Sequence, residues 1–281
     1  MPDYLRPTAL DDALAALSRR RLTVLAGGTD FYPARVGAPL DDDVLDISAL
    51  PALRAIEERD DHWRIPALAT WTDIVRADLP HWFDGLKLAA REIGGRQVQN
   101  TGTLCGNLCN ASPAADGVPV LLSLDAEVEL ASLERRETIP LADFLRGNRE
   151  TALASDQLML AVRVPKPRAE RARGHFLKLG ARRHLVISIV MVAAALEADA
   201  AGRVARAQVA VGACSPVARR LTALEEALVG RPCDAALGEV VTEPHMAPLA
   251  PLDDARGSAA YRLDAARTLA TRTLAELGSM M

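Results

Sequence analysis

The sequence predicts an α+β protein of two domains, on three observations. At 281 residues the chain can bury two or three hydrophobic cores. Short strand patterns are interleaved with stretches of helical period along its whole length. A Pro- and charge-rich run, Val164-Pro-Lys-Pro-Arg-Ala-Glu-Arg-Ala-Arg-Gly174, interrupts both patterns and reads as a linker. The first domain is assigned to 1–168, with lobes of about 1–50 and 51–168, and the second to 174–281.

Taken in order, Thr8 followed by Asp11, with Leu10, Leu14 and Leu17 behind, predicts a capped amphipathic helix. Leu22–Leu25 is a short buried strand that breaks at Ala26-Gly-Gly-Thr-Asp30, and Val44–Ile47 is another strand. Arg54–Glu58 and His62–Ile65 flank a charged turn and predict a hairpin. Trp71, Ile74, Val75 and Leu79 recur at helical spacing, as do Leu86, Leu88, Ala89 and Ile93. A polar, glycine-rich stretch from Gly94 to Asn110 carries no period. Ser112-Pro113 then reads as a helix start, running to about Leu124. Strands follow at Ala126–Leu130, Leu158–Val164, Phe176–Leu179, Val186–Glu197 and Arg203–Val211, the last two joined by a turn at Asp199–Gly202. Helices close the chain around Arg219–Val229, Asp234–Val241 and Ala259–Leu277.

Composition narrows the function classes. A net charge of −4 with 25% charged residues gives no basic surface for nucleic acid or an anionic membrane. The longest apolar stretch, Leu185–Leu196, falls short of the roughly 20 residues a bilayer span needs. The start, MPDYLRPTAL, lacks a basic segment before an apolar core, so the cytoplasm is the expected compartment. Cys105, Cys109, Cys214 and Cys233 form neither a disulfide scaffold nor an iron–sulfur or zinc pattern, and the five histidines do not pair with them at ligand spacing. Ser188, His184 and Asp199 lie on a strand pattern and a turn and make no triad; Trp63, Trp71 and Trp82 read as packing.

Two segments carry chemistry. The glycine pair in Ala26-Gly27-Gly28-Thr29-Asp30 lets successive N–H groups cradle a phosphate, or simply builds a tight strand-to-helix turn. In Asn100-Thr-Gly-Thr-Leu-Cys-Gly-Asn107 and on to Asp116, hydroxyls and amides are dense enough to serve phosphates and a ribose, although Ser112 and Asp116 also suit plain helix capping.

Together with Ile93-Gly-Gly-Arg-Gln-Val-Gln-Asn-Thr-Gly-Thr103, Ala111-Ser-Pro-Ala-Ala-Asp116, Phe176-Leu-Lys-Leu-Gly-Ala-Arg-Arg183 and the helix from Tyr261, these segments resemble the FAD-binding medium subunit of the xanthine dehydrogenase and carbon monoxide dehydrogenase family. The resemblance covers nearly the whole chain. It implies a two-lobed FAD-binding domain of the PCMH and CO-dehydrogenase-flavoprotein type, followed by an α+β domain with a small antiparallel sheet and helices. It further implies noncovalent FAD held by Leu25, Ala26, Gly27, Gly28, Thr29 and Asp30 at the pyrophosphate. Thr101, Gly102, Thr103, Gly106 and Asn107 would face the pyrophosphate or ribityl chain, Asn110 the phosphates, and Asp116 the adenosine ribose. Leu158 and Met159 would pack on the flavin or adenine, Ile93 would lie over the ring, and Lys178 would reach toward it. No catalytic side chain or metal ligand is implied on this chain. Cys105 stands where relatives have glycine, which suits a backbone contact only if φ there is not positive.

The function so implied is electron transfer within a heteromeric molybdenum hydroxylase. Electrons would come from [2Fe-2S] clusters on a small subunit, served by a large molybdopterin subunit, in a dimer of heterotrimers. They would leave to NAD, oxygen or quinone. Two alternatives remain beside it: a stand-alone flavin oxidoreductase, which the lack of any histidine before His62 disfavours, and a flavin-free scaffold, which Cys105 favours.

Overall fold

The computed structural model describes residues 2–37, 39 and 41–281. The first lobe is a parallel three-stranded sheet with one covering helix. Its elements are β1 (Tyr4–Leu5), α1 (Leu10–Arg19), β2 (Thr23–Leu25) and β3 (Val44–Asp46), in sheet order β1-β3-β2. Helix α1 buries Ala13, Leu14 and Leu17 against the sheet, as its spacing requires. The Thr8 cap does not form: Ala9 is the N-cap, without a side-chain bond, and Asp11 and Asp12 meet the positive end of the helix dipole instead.

The second lobe comprises β4 (Glu57–Glu58), β5 (His62–Pro66), α2 (Trp71–Arg76), α3 (Asp84–Glu92), α4 (Arg96–Thr101), α5 (Leu104–Asn110), α6 (Gly117–Ser123), β6 (Glu127–Ala131), β7 (Arg136–Pro140), α7 (Leu141–Phe144), β8 (Leu145–Gly147), β9 (Glu150–Thr151) and β10 (Leu158–Pro165). Its main sheet is antiparallel, β4-β5-β10-β6-β7, and the near-continuous apolar run of β10 reflects its central place. The stretch without period between Gly94 and Asn110 is helical after all, split into α4 and α5 at Gly102. Helices of six and seven residues are too short to show a period. Ser112-Pro113 opens a turn, with Ser112 Oγ accepting from Ala114 N at 3.3 Å, and α6 begins only at Gly117. Every residue of α6 is buried, so it presents no polar face for a pattern to reveal.

The second domain holds a four-stranded antiparallel sheet in chain order, β11 (Arg171–Gly180), β12 (Ser188–Ala198), β13 (Val204–Gly212) and β14 (Arg219–Arg220), with α8 (Thr222–Leu228) and α9 (Ala259–Met280) on one face. The linker is shorter than its composition suggests, because β11 already includes Arg171. Arg219 and Arg220 pair as a strand instead of starting a helix, and Ala235–Val240 is a 3-10 turn capped by Asp234. Asp199 Oδ1 accepts from Ala201 N and Arg203 N, so the predicted turn closes the β12–β13 hairpin.

The two domains share a polar seam. Asp125, at the end of α6, accepts from Arg220 Nη1 at 2.7 Å, from Gln208 Nε2 at 2.9 Å and from Arg206. Buried Glu197 accepts from the N–H groups of Arg168 and Ala169 at 2.7 and 2.9 Å, which ties the linker to β12.

Candidate functional site

A cleft of about 510 Å³ opens between the turn after β2 in the first lobe and the α4, α5 and β10 wall of the second. The glycine pair sets one side. Gly28 has φ +70°, and a Cβ on Gly27 would stand 1.9 Å from the Thr101 carbonyl oxygen, so no other residue fits there without backbone movement. Downstream, Tyr32 N donates to Gly28 O and Ala34 N to Asp30 O, both at 3.2 Å. Among the described residues, the N–H groups of Gly27, Gly28, Thr29 and Asp30 have no protein acceptor. Consecutive free donors on a tight turn form a nest for an anion.

Helix α5 forms the opposite wall. Its N-cap Thr103 accepts from Gly106 N at 3.0 Å, and Leu104 N is tied to Ala69 O at 3.1 Å. Gly106, Asn107 and Asn110 line the cleft; Asn107 Oδ1 is buried without a hydrogen-bond partner, an acceptor left for a ligand donor. Cys105 is helical and absent from the positive-φ residues, so a cysteine is compatible with this position. Burial pushes its thiol well above the usual range, which leaves it protonated and inert. Ile93, Leu153, Leu158 and Met159 supply an apolar surface, and Trp71 also lines the cleft.

The predicted residues Leu25, Ala26, Gly27, Gly28, Thr29, Asp30, Ile93, Gly102, Thr103, Gly106, Asn107, Asn110, Leu158 and Met159 are therefore brought together. Thr101, Asp116 and Lys178 are not among the lining residues. Thr101 turns its hydroxyl back to Gln97 O at 2.8 Å and contributes only the carbonyl that abuts Gly27. Lys178 Nζ and Asp116 Oδ2 are paired at 2.6 Å, both side chains 6% exposed, and Ser188 Oγ donates to the other carboxylate oxygen at 2.5 Å. Burial pushes the Asp116 carboxyl up against the opposing pull of Lys178 and Ser188. Lys178 lines a separate cavity of about 540 Å³ with Glu92, His175 and Arg182.

Sequence reasoning missed Thr23, Val24, Phe31, Ile47, Ala67, Val98, Cys109 and Leu153, and it gave Trp71 only a packing role. Phe31 directly follows the glycine turn, so continuing that segment by one residue would have found it. Among the described residues there is no group of three or more potential metal ligands, and no helix is long and apolar enough to cross a membrane.

The residues present fit FAD: donors for a diphosphate, a buried acceptor for a sugar or ribityl hydroxyl, and an apolar wall for a ring system. Residues 1–167 match the FAD binding domain in molybdopterin dehydrogenase, and 175–277 match the CO dehydrogenase flavoprotein C-terminal domain. The nicotinate dehydrogenase FAD-subunit of Eubacterium barkeri is 32% identical over 82% of this chain and 80% of its own. The nicotine 6-hydroxylase medium subunit of Paenarthrobacter nicotinovorans is 30% identical over 98% and 97%. A chain of carbon monoxide dehydrogenase from Hydrogenophaga pseudoflava, solved in a form lacking the Mo-pyranopterin moiety, superposes with a TM-score of 0.86 at 26% identity, over 98% of this chain and 96% of that one. With both domains matched in order and the glycine-turn cleft in the first, this chain belongs to the family of FAD-binding medium subunits of molybdenum hydroxylases.

Proposed function

We propose that this chain carries FAD as the electron-transfer subunit of a heteromeric molybdenum hydroxylase in the cytoplasm. In this reading it takes electrons from [2Fe-2S] clusters on a small partner, which a large molybdopterin subunit supplies, within a dimer of heterotrimers. It delivers them to an external acceptor such as NAD, oxygen or quinone. The observation that carries the reading is the row of free N–H donors from Gly27 to Asp30, facing an α5 wall that offers amides and no acid–base pair. Bound flavin supplies reversible one- and two-electron chemistry, so the protein needs to bind and orient it and to exclude competing reactions.

In this assignment Leu25 to Asp30 hold the diphosphate, while Gly102, Thr103, Gly106 and Asn107 line the ribityl and phosphate path. Asn110 faces the phosphates, and Ile93, Leu158 and Met159 shape the ring slot. Asp116 and Lys178, being paired with each other and outside the cleft lining, support the domain junction instead. Cys105, the one residue that favoured a flavin-free scaffold, sits in a helix and obstructs nothing its backbone would do.

The test is direct. The chain purified with its native partners should carry one FAD, released intact by acid precipitation, and should bring down one smaller and one larger subunit. A fully active single chain, or one that takes up no FAD on reconstitution, overturns the proposal. A screen of NAD, oxygen and quinone on the whole complex then identifies the acceptor.

A further inference from the structure

We infer that Arg149, outside the cleft lining, is a positioning residue for the phosphate end of the cofactor; the inference rests on the FAD site proposed above. Arg149 sits in the turn between β8 and β9 with φ +57°, a left-handed conformation that glycine or asparagine adopts at less strain. Strain held at a non-glycine residue beside a binding site points to a use for its side chain. That side chain has one partner among the described residues: Nη1 donates to Asn110 Oδ1 at 2.8 Å. Its backbone N–H donates to Ala111 O at 2.9 Å, and Ala111 is itself left-handed, φ +45°, at the C-terminal end of α5.

These two bonds fix more than a loop. A guanidinium has only donors, so the atom of Asn110 that faces it must be the carbonyl oxygen. The amide nitrogen of Asn110, a residue that lines the cleft, is then the atom left to serve a ligand, and it has no protein partner among the described residues. Arg149 thereby turns an ambidextrous amide into a committed donor. It also places an uncompensated positive charge one hydrogen bond behind the wall, at the last turn of a helix whose C-terminal dipole would otherwise repel an anion. A phosphate oxygen is the partner this chemistry selects. A neutral hydroxyl could be met by either end of an unheld asparagine.

The experiment uses the full chain and compares FAD with riboflavin, which lacks phosphate, by fluorescence titration. Arg149→Gly removes the guanidinium and leaves a residue suited to the turn, so apo-protein melting should be unchanged or raised. FAD affinity should fall roughly tenfold, the size of one charge-assisted hydrogen bond, and riboflavin affinity should stay within twofold. Asn110→Ala should lose as much, and the double variant no more than either single one. Arg149→Lys, which keeps charge and donor, should recover most of the loss. Equal FAD binding by Arg149→Gly and wild type overturns the inference. So does an equal loss for FAD and riboflavin, since that marks a merely structural role. A wild-type chain that binds no FAD overturns the cofactor site itself.

Discussion

Gly27 shows how much of the cleft rests on single atoms. A Cβ there would lie 1.9 Å from the Thr101 carbonyl, inside any real contact distance, so the turn and the α4 end would have to separate. Gly27→Ala is expected to cost about 1–3 kcal/mol, read as a lower melting temperature, and to abolish FAD uptake even where the fold survives. Normal flavin content in that variant would remove the turn from the site. Asp116 has a different role. Removing its charge leaves the Lys178 ammonium, 6% exposed, without a counter-ion. Asp116→Asn should therefore destabilise by about 3–5 kcal/mol, while the double variant with Lys178→Met should regain much of it, as chemical denaturation would report. At this scale the sequence showed which residues offer donors, since glycine pairs and clustered amides are local. It could not show that Asp116 and Lys178 satisfy each other, because that depends on how two domains meet.

At the scale of elements, α9 shows how a helix is anchored by a loop. Arg262 on α9 is 4% exposed and donates to Ile189 O at 2.6 Å and to Asp254 Oδ1 at 2.6 Å. The backbone N–H of Arg256 and the guanidinium of Arg262 hold the Asp254 carboxyl down at about 2, against an ordinary value of 3.8. A carboxyl with a lowered folded-state pKa adds stability that is complete above the unfolded value and is lost as pH falls through the folded one. The advantage of wild type over Asp254→Asn should thus be constant near neutrality and fade between pH 3.8 and about 2. A gap that persists at pH 2 or widens on acidification would show that the ionised carboxylate is not what anchors the helix. Helix α1, with one buried face, was legible from its period, and β12, buried along its whole length, from its continuous apolar run. Helix α6, buried on every side, and the short α4 and α5 were not, because period reading needs both a polar face and length.

At the scale of the molecule, the seam at Asp125 couples the two domains. Arg206, Gln208 and Arg220 all reach across to one carboxylate. Asp125→Ala should cost about 1–3 kcal/mol and convert a single calorimetric transition into two, the second domain melting apart from the first. One unbroken transition in that variant would show that apolar packing alone carries the coupling. Two domains and their order were legible from the linker, but the seam was not, since its charges come from segments far apart in sequence. The cleft itself lies wholly within one domain: its lining runs from Thr23 to Met159, and the central strand that closes the sheet behind it ends at Pro165. The apolar core behind it is built from both domains, since Phe176, Met191, Ala193, Ala195 and Ala210 belong to the same cluster as Leu104, Leu108 and Leu121. The lining is thus encoded by one contiguous stretch while its support is not, so cutting the chain after Pro165 would keep every lining residue yet strip the apolar backing from α3 and α6.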